Sequence, residues 1–131
     1  VTGPSVVSGN LTITNNAVIS GNLTTGGARV DAGYQYGNVV SDFSTTITSN
    51  VSRLILNPYT ANTIANGTVT LPAGNVEAKV VTISSTYGIT ALQVNPSSGT
   101  VLKPSGNITL ANGASATYFY HSSQASWYKI G

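Results

Sequence analysis

Between Ile64 and Val94 the chain alternates β-branched or leucine side chains with small polar ones, IANGTVTLPAGNVEAKVVTISSTYGITALQV, and Pro72-Ala73-Gly74 and Tyr87-Gly88 punctuate the run. Period-two alternation broken by Gly and Pro predicts strands joined by turns, whereas a helix would place its apolar residues three or four apart. The stretch divides into strands over Thr68–Leu71, Val76–Ser84 and Ile89–Val94. Its only charged side chains, Glu77 and Lys79, lie two apart and so are expected on one face.

Upstream, SGNLT occurs at Ser8–Thr12 and again at Ser20–Thr24, with TNNAVI between them. A twelve-residue period is too short for a helical repeat and fits one strand plus one turn, with Gly9-Asn10, Asn15-Asn16 and Gly21-Asn22 as turn residues. Val7, Leu11, Ile13, Val18, Ile19 and Leu23 are then candidate intersubunit strand residues, because two repeats cannot bury a core alone. A hairpin lying on the main domain is the simpler alternative.

Gly26–Tyr36, GGARVDAGYQY, gathers charges beside two tyrosines and is expected to be a connector. Val39–Ser49 is assigned as a weak strand and Val51–Leu56 as a better one, ended by Asn57-Pro58. Past the turn at residues 95–99, short strands are expected at Val101-Leu102, Asn107–Leu110, Ala116–His121 and Ser126–Ile130. Such spacing predicts an all-β fold, an antiparallel β-sandwich or jelly-roll-like domain over residues 39–131, preceded by a short repetitive β-strand segment over residues 1–38. In Ala116–His121, Tyr118 and Tyr120 share one face and Thr117, Phe119 and His121 the other, so both faces are candidates for burial.

Composition narrows the function classes. Charged residues make up 6% of the 131 positions, against roughly 25% in ordinary domains, so hydration falls to Ser, Thr, Asn and Gly, as in β structures whose polar faces are Thr and Asn ladders. A net charge of +2 without a basic cluster argues against nucleic-acid binding. With no cysteine there are neither disulfides nor thiolate metal sites. The apolar runs are far too short to span a bilayer as a helix, and VTGPSVVSGN lacks the regions of a signal peptide, so a soluble chain is expected, trimmed or excised since it starts without Met.

From Leu54 to Gly131, the motifs LILNPYT, TVTLPAG, VVTISS, ITALQV, SGTVL, LANGASATYFY and the closing WYKIG resemble, in order and spacing, a C-terminal β-domain of tail fibres and other structural proteins of bacteriophages, notably marine and cyanobacterial ones. The SGNLT repeats look like the shaft sequences that precede such domains. The resemblance covers about three-fifths of the chain. It implies a non-enzymatic homotrimer on the virion surface, a fibre or spike bound to other virion proteins and contacting a host surface glycan, with no cofactor, nucleic acid or membrane partner. Because only a short segment precedes the domain, the chain is either an excised tip or a small capsid decoration (cement) protein. A carbohydrate-binding module and, last, a glycan-degrading enzyme are the alternatives from other classes.

Candidate chemistry is sparse. His121 is the only histidine, and a triad would need it as base, with Asp31, Asp42 or Glu77 as orienter and a serine as nucleophile. No GxSxG elbow or HExxH pair accompanies it, so a structural histidine is expected. The three carboxylates are thin material for a glycosidase pair; Asp31 and Asp42, near Arg29 and Arg53, need be no more than exposed ion pairs. A single histidine and three scattered acids do not make a metal cluster. The aromatics Tyr118, Phe119, Tyr120, Trp127 and Tyr128 suit either a sugar-stacking platform or a core of Phe119 and Trp127 with tyrosines at a subunit interface. Tyr34 and Tyr36 are similar candidates in a loop.

Overall fold

A computed structural model describes residues 4–24, 26, 33–73 and 77–131, and the chain divides into two units, residues 1–30 and 31–131. In the first unit, residues 4–24 form no strand, contrary to the expected strand repeat. Val7, Leu11, Ile13, Val18, Ile19 and Leu23 are all exposed there, as is Val6. Alternation without a sheet partner leaves backbone N–H and C=O groups to water, and a lone two-stranded ribbon is marginal at best.

Among its described residues the second unit holds ten strands: β1 Tyr34–Val39, β2 Phe43–Thr46, β3 Arg53–Pro58, β4 Ile64–Thr70, β5 Val80–Ser85, β6 Ile89–Asn95, β7 Val101–Lys103, β8 Asn107–Leu110, β9 Ser115–His121 and β10 Ser126–Lys129. A 3₁₀ turn, Ser122–Gln124, joins β9 to β10 and closes on Ala125 in the left-handed region. Six strands form one sheet in the order β1-β3-β5-β9-β10-β7, and four form a second in the order β2-β4-β6-β8. The all-β expectation therefore holds, with two sheets.

Strand direction departs from the expectation. From β1 to β6 successive strands alternate between the sheets, so β1, β3 and β5 pair in parallel, as do β2, β4 and β6. That winding is of the β-solenoid kind, and it replaces the antiparallel hairpins inferred from strand spacing. Antiparallel pairing enters only where the chain reverses: β8 against β6, and β9 against β5 and β10. β7 then joins the edge parallel to β10.

Two assignments near the start of this unit also change. The stretch ending at Tyr36 is not wholly a connector, because β1 pairs with β3 from Tyr34↔Arg53 to Val39↔Pro58, so the unit takes in residues assigned to the N-terminal segment. β3 also runs through Pro58, which is buried at the strand's last position, where a missing N–H interrupts nothing further. The expected strand over 76–84 begins instead at Val80; Val76, Gly74, Arg29, Asp31 and Thr25 lie outside the described residues.

Alternation puts one set of side chains between the sheets. Leu54, Leu56, Val81, Ile83, Tyr118, Tyr120 and Trp127 come from the larger sheet and Ile64, Val69, Ile89, Leu92, Val94 and Leu110 from the smaller, all in one core. Each full burial contributes about 1.5–3 kcal/mol. Gly67 is required inside: a Cβ there would lie 1.9 Å from Phe43 Cε1, on the strand paired with it. The opposite face of the larger sheet carries largely polar columns set by the register, Tyr34, Arg53, Thr82 and Thr117 in one, Tyr36, Ile55, Ser84 and Ser115 in the next, where Ile55 is the aliphatic exception.

Candidate functional site

The outward columns bring Tyr34 and Tyr36 together on an edge strand rather than in a loop. Both rings are more than half exposed. Beside them, Arg53, Ile55, Thr82, Ser84, Ser85, Thr86 and Gly113 line a shallow groove of about 470 Å³. Hydrogen bonds run across its strands: Asn57 Nδ2 donates to Asn38 Oδ1 at 2.9 Å, Thr86 Oγ1 donates to Asn57 Oδ1 at 2.6 Å, and the Thr82 and Thr117 hydroxyls meet at 3.3 Å. These are the Asn and Thr ladders that the low charge content implied. Together they offer two aromatic faces, one guanidinium and a row of amides and hydroxyls.

The C-terminal aromatics do not form a platform. Tyr118, Tyr120 and Trp127 are in the core, with the Tyr120 and Trp127 rings 5.1 Å apart and tilted. Burial pushes the Tyr118 phenol up to about 12 by disfavouring its anion. Tyr118, Tyr120 and Trp127 therefore present no surface for stacking a sugar. Phe119, expected inside, sits on the outward face of β9, because the alternation of that strand sends the two tyrosines inward. Tyr128 is half-buried, with Lys103 Nζ 5.9 Å from its ring centre.

A second grouping forms at the end of β9. Glu77 precedes β5, where Ala78 N–H donates to Tyr120 C=O and Tyr120 N–H to Lys79 C=O, and this tie brings the segment against the 3₁₀ turn. Glu77 Oε1 lies 2.9 Å from His121 Nδ1. Glu77 Oε2 accepts from the Ser122 N–H at 2.8 Å and from the Ser122 hydroxyl. The far ring nitrogen, His121 Nε2, lies 2.9 Å from Ser123 Oγ. The Ser122 hydroxyl, His121 and the Ser122 N–H together hold the Glu77 carboxyl at about 2. Its neighbour Lys79 does not share this face: its ammonium donates to the Ser49 carbonyl, and burial lowers its pKa.

Among the described residues, His121 and Glu77 form the one acid–base side-chain contact within salt-bridge distance, and Asp42 does not pair with Arg53. Asp42 instead sits in the left-handed region, its N–H donating to Asn66 C=O at 2.9 Å. No group of three or more metal-ligating side chains occurs among the described residues, and no helix there is long and apolar enough to cross a membrane. The pairing of His121 with Glu77 was one of three orienters open in the sequence; Ser123 as third member was not legible, its one signal being its place two residues past the histidine. No protein-family model and no curated protein matches this chain.

Proposed function

We propose that this chain is a structural protein of a bacteriophage virion surface, a fibre or spike that assembles as a homotrimer and bonds to other virion proteins. The observation that carries this reading is the contrast between a β-unit with a closed core and an N-terminal repeat whose Val, Leu and Ile side chains are exposed. Such a run calls for a partner, and identical chains supply identical repeats. Three copies around one axis bury these side chains and remove free strand edges together. Residues 54–131 supply the phage-like motif order, and the two sheets suit a sandwich-like tip with polar outer columns.

Light scattering tests the assembly. The full chain at micromolar concentration is expected at three times its monomer mass, and removal of residues 1–25 is expected to weaken assembly while leaving the β-unit folded. A monomeric full chain overturns the trimer. Copy number per particle separates a fibre, at a few tens at most, from a capsid decoration protein, at hundreds.

A second reading, contact with a host glycan, is favoured by the exposed Tyr34 and Tyr36 beside the hydroxyl- and amide-lined groove. Rings with polar tips give a sugar an apolar face and hydrogen bonds together. On a glycan panel, binding that disappears in Tyr36→Ala and changes little with salt supports it; binding that collapses between low and moderate salt points to charge instead.

A further inference from the structure

The outward end of β9 places a hydroxyl, an imidazole and a carboxylate in line. Ser123 Oγ is 2.9 Å from His121 Nε2, and His121 Nδ1 is 2.9 Å from Glu77 Oε1. Glu77 has its second oxygen fixed by two donors from Ser122, one of them a backbone N–H, so the carboxylate cannot swing away from the ring without breaking both. A carboxylate acceptor at Nδ1 selects the tautomer with its proton there. Nε2 is then a lone pair, and the Ser123 hydroxyl is the donor to it. This is the order of roles in a nucleophile, base and orienter array, which is recognised by geometry rather than by a sequence motif. The contact between Ser123 and His121 also holds no element in place, because both side chains lie outside the core and Ser123 belongs to a three-residue turn.

We propose that Ser123 is an activated nucleophile toward small activated acyl and phosphonyl esters, with His121 as general base and Glu77 as the group that positions it. The Glu77 and His121 side chains are 51% and 42% exposed, so the site is open and lacks walls to select a large acyl group. Ser123 Oγ attacks the acyl carbon as its proton passes to His121 Nε2. The carbon–oxygen bond to the leaving group breaks, and the leaving oxygen takes that proton. In the second half a water attacks the acyl-serine, gives its proton to Nε2, and the Ser123 oxygen departs and recovers it. One ester and one water become one acid and one alcohol. This reactivity is independent of the assembly role proposed above.

The experiment treats the full chain with a fluorophosphonate probe, which loses fluoride on forming a bond to a serine oxygen, and maps the adduct by peptide mass spectrometry. Ser123 is expected to label at least about tenfold faster than Ser122 or the other exposed serines, a conservative fraction of what a positioned base supplies. His121→Gln is expected to bring Ser123 down to the level of the rest, and Glu77→Gln to slow it by a smaller factor. Ser123→Ala, which removes only the contact with His121, serves as the variant whose loss of signal is not misfolding; p-nitrophenyl acetate turnover should fall with it to the rate of buffer. Labelling spread evenly over the serines, labelling unchanged in His121→Gln, or ester turnover retained in Ser123→Ala would each overturn the proposal.

Discussion

Two stretches of this chain carry the same alternation and meet opposite fates. In the N-terminal repeat Val7, Leu11, Ile13, Val18, Ile19 and Leu23 are spaced among Ser, Asn and Thr, and they are 50–91% exposed. In β4, β5 and β6 Val69, Val81, Ile83, Leu92 and Val94 are spaced among similar polar residues, and none is more than 4% exposed. Propensity does not separate them. What differs is the number of coils: Phe43 pairs with Gly67, twenty-four positions further on, and Ile64 with Ile89, twenty-five further on, so each of β1 to β6 finds a parallel partner one coil away. Two twelve-residue repeats amount to about one coil, which has no such partner within itself. Alternation supplies the capacity to pair, and stacking turns that capacity into burial.

The sharpest way to break the comparison is to remove a side chain on which the β-unit depends. Trp127 is fully buried against Tyr120, so Trp127→Ala is expected to cost about 3–5 kcal/mol, read from urea unfolding. Trp127→Phe should cost much less, since the buried indole N–H meets no acceptor among the described residues and its loss offsets part of the lost packing. If Trp127→Ala moved the midpoint by no more than a surface change, the core would not be centred where the burial places it. Gly67→Ala comes next: its Cβ would overlap the Phe43 ring, and an overpacked site costs about 1–3 kcal/mol. Pairing it with Phe43→Ala should recover part of that loss, a non-additivity that identifies the ring as the obstacle.

The same test applied to the N-terminal repeat has the opposite expectation. Leu11→Ser together with Leu23→Ser should leave unfolding of the β-unit within about 0.5 kcal/mol of the parent, as for surface changes generally, while lowering the mass measured by light scattering. A large loss of β-unit stability from these two changes would show that the repeat belongs to that core after all.

Legibility in the sequence followed the same line. Strands β3 to β10 were visible because they alternate, and most of them end at or shortly before Gly, Pro or Asn, signals carried within a few residues. β1 was missed because Tyr34 and Tyr36, exposed, and Gly37 give YQYGNV no buried stripe until Val39. Parallel winding was not legible, because a strand spacing of 8 to 12 residues is the same whether the next strand turns back as a hairpin or crosses to a second sheet. The fate of the C-terminal aromatics turned on one bit of information: which face of β9 looks inward. Tyr118 and Tyr120 do, and Phe119 with His121 follows outward. Glu77 meets His121 only because β5 and β9 are neighbours, a pairing that no local pattern encodes, whereas Ser123 reaches the ring from two residues along the chain.

The smallest expected effect concerns that meeting point, where the β-unit satisfies its one carboxylate–imidazole pair. Glu77 is held at about 2, against 4.5 for the free group, by hydrogen bonds from Ser122 and His121 to its charged form. A carboxyl whose pKa is lower in the folded chain stabilises the fold fully above the unfolded value, and that contribution disappears as pH falls through the folded one. The window is therefore from about pH 4.5 down to about pH 2. Because the group is exposed, solvent screens the interaction and the effect is small. Comparing Glu77→Gln with the parent isolates it: the difference in thermal midpoint should shrink from its value near pH 5 toward zero near pH 2. A difference that stays the same across that range would mean that Glu77 acts through the shape of its side chain alone, and the anchored carboxylate that orients His121 would lose its physical basis.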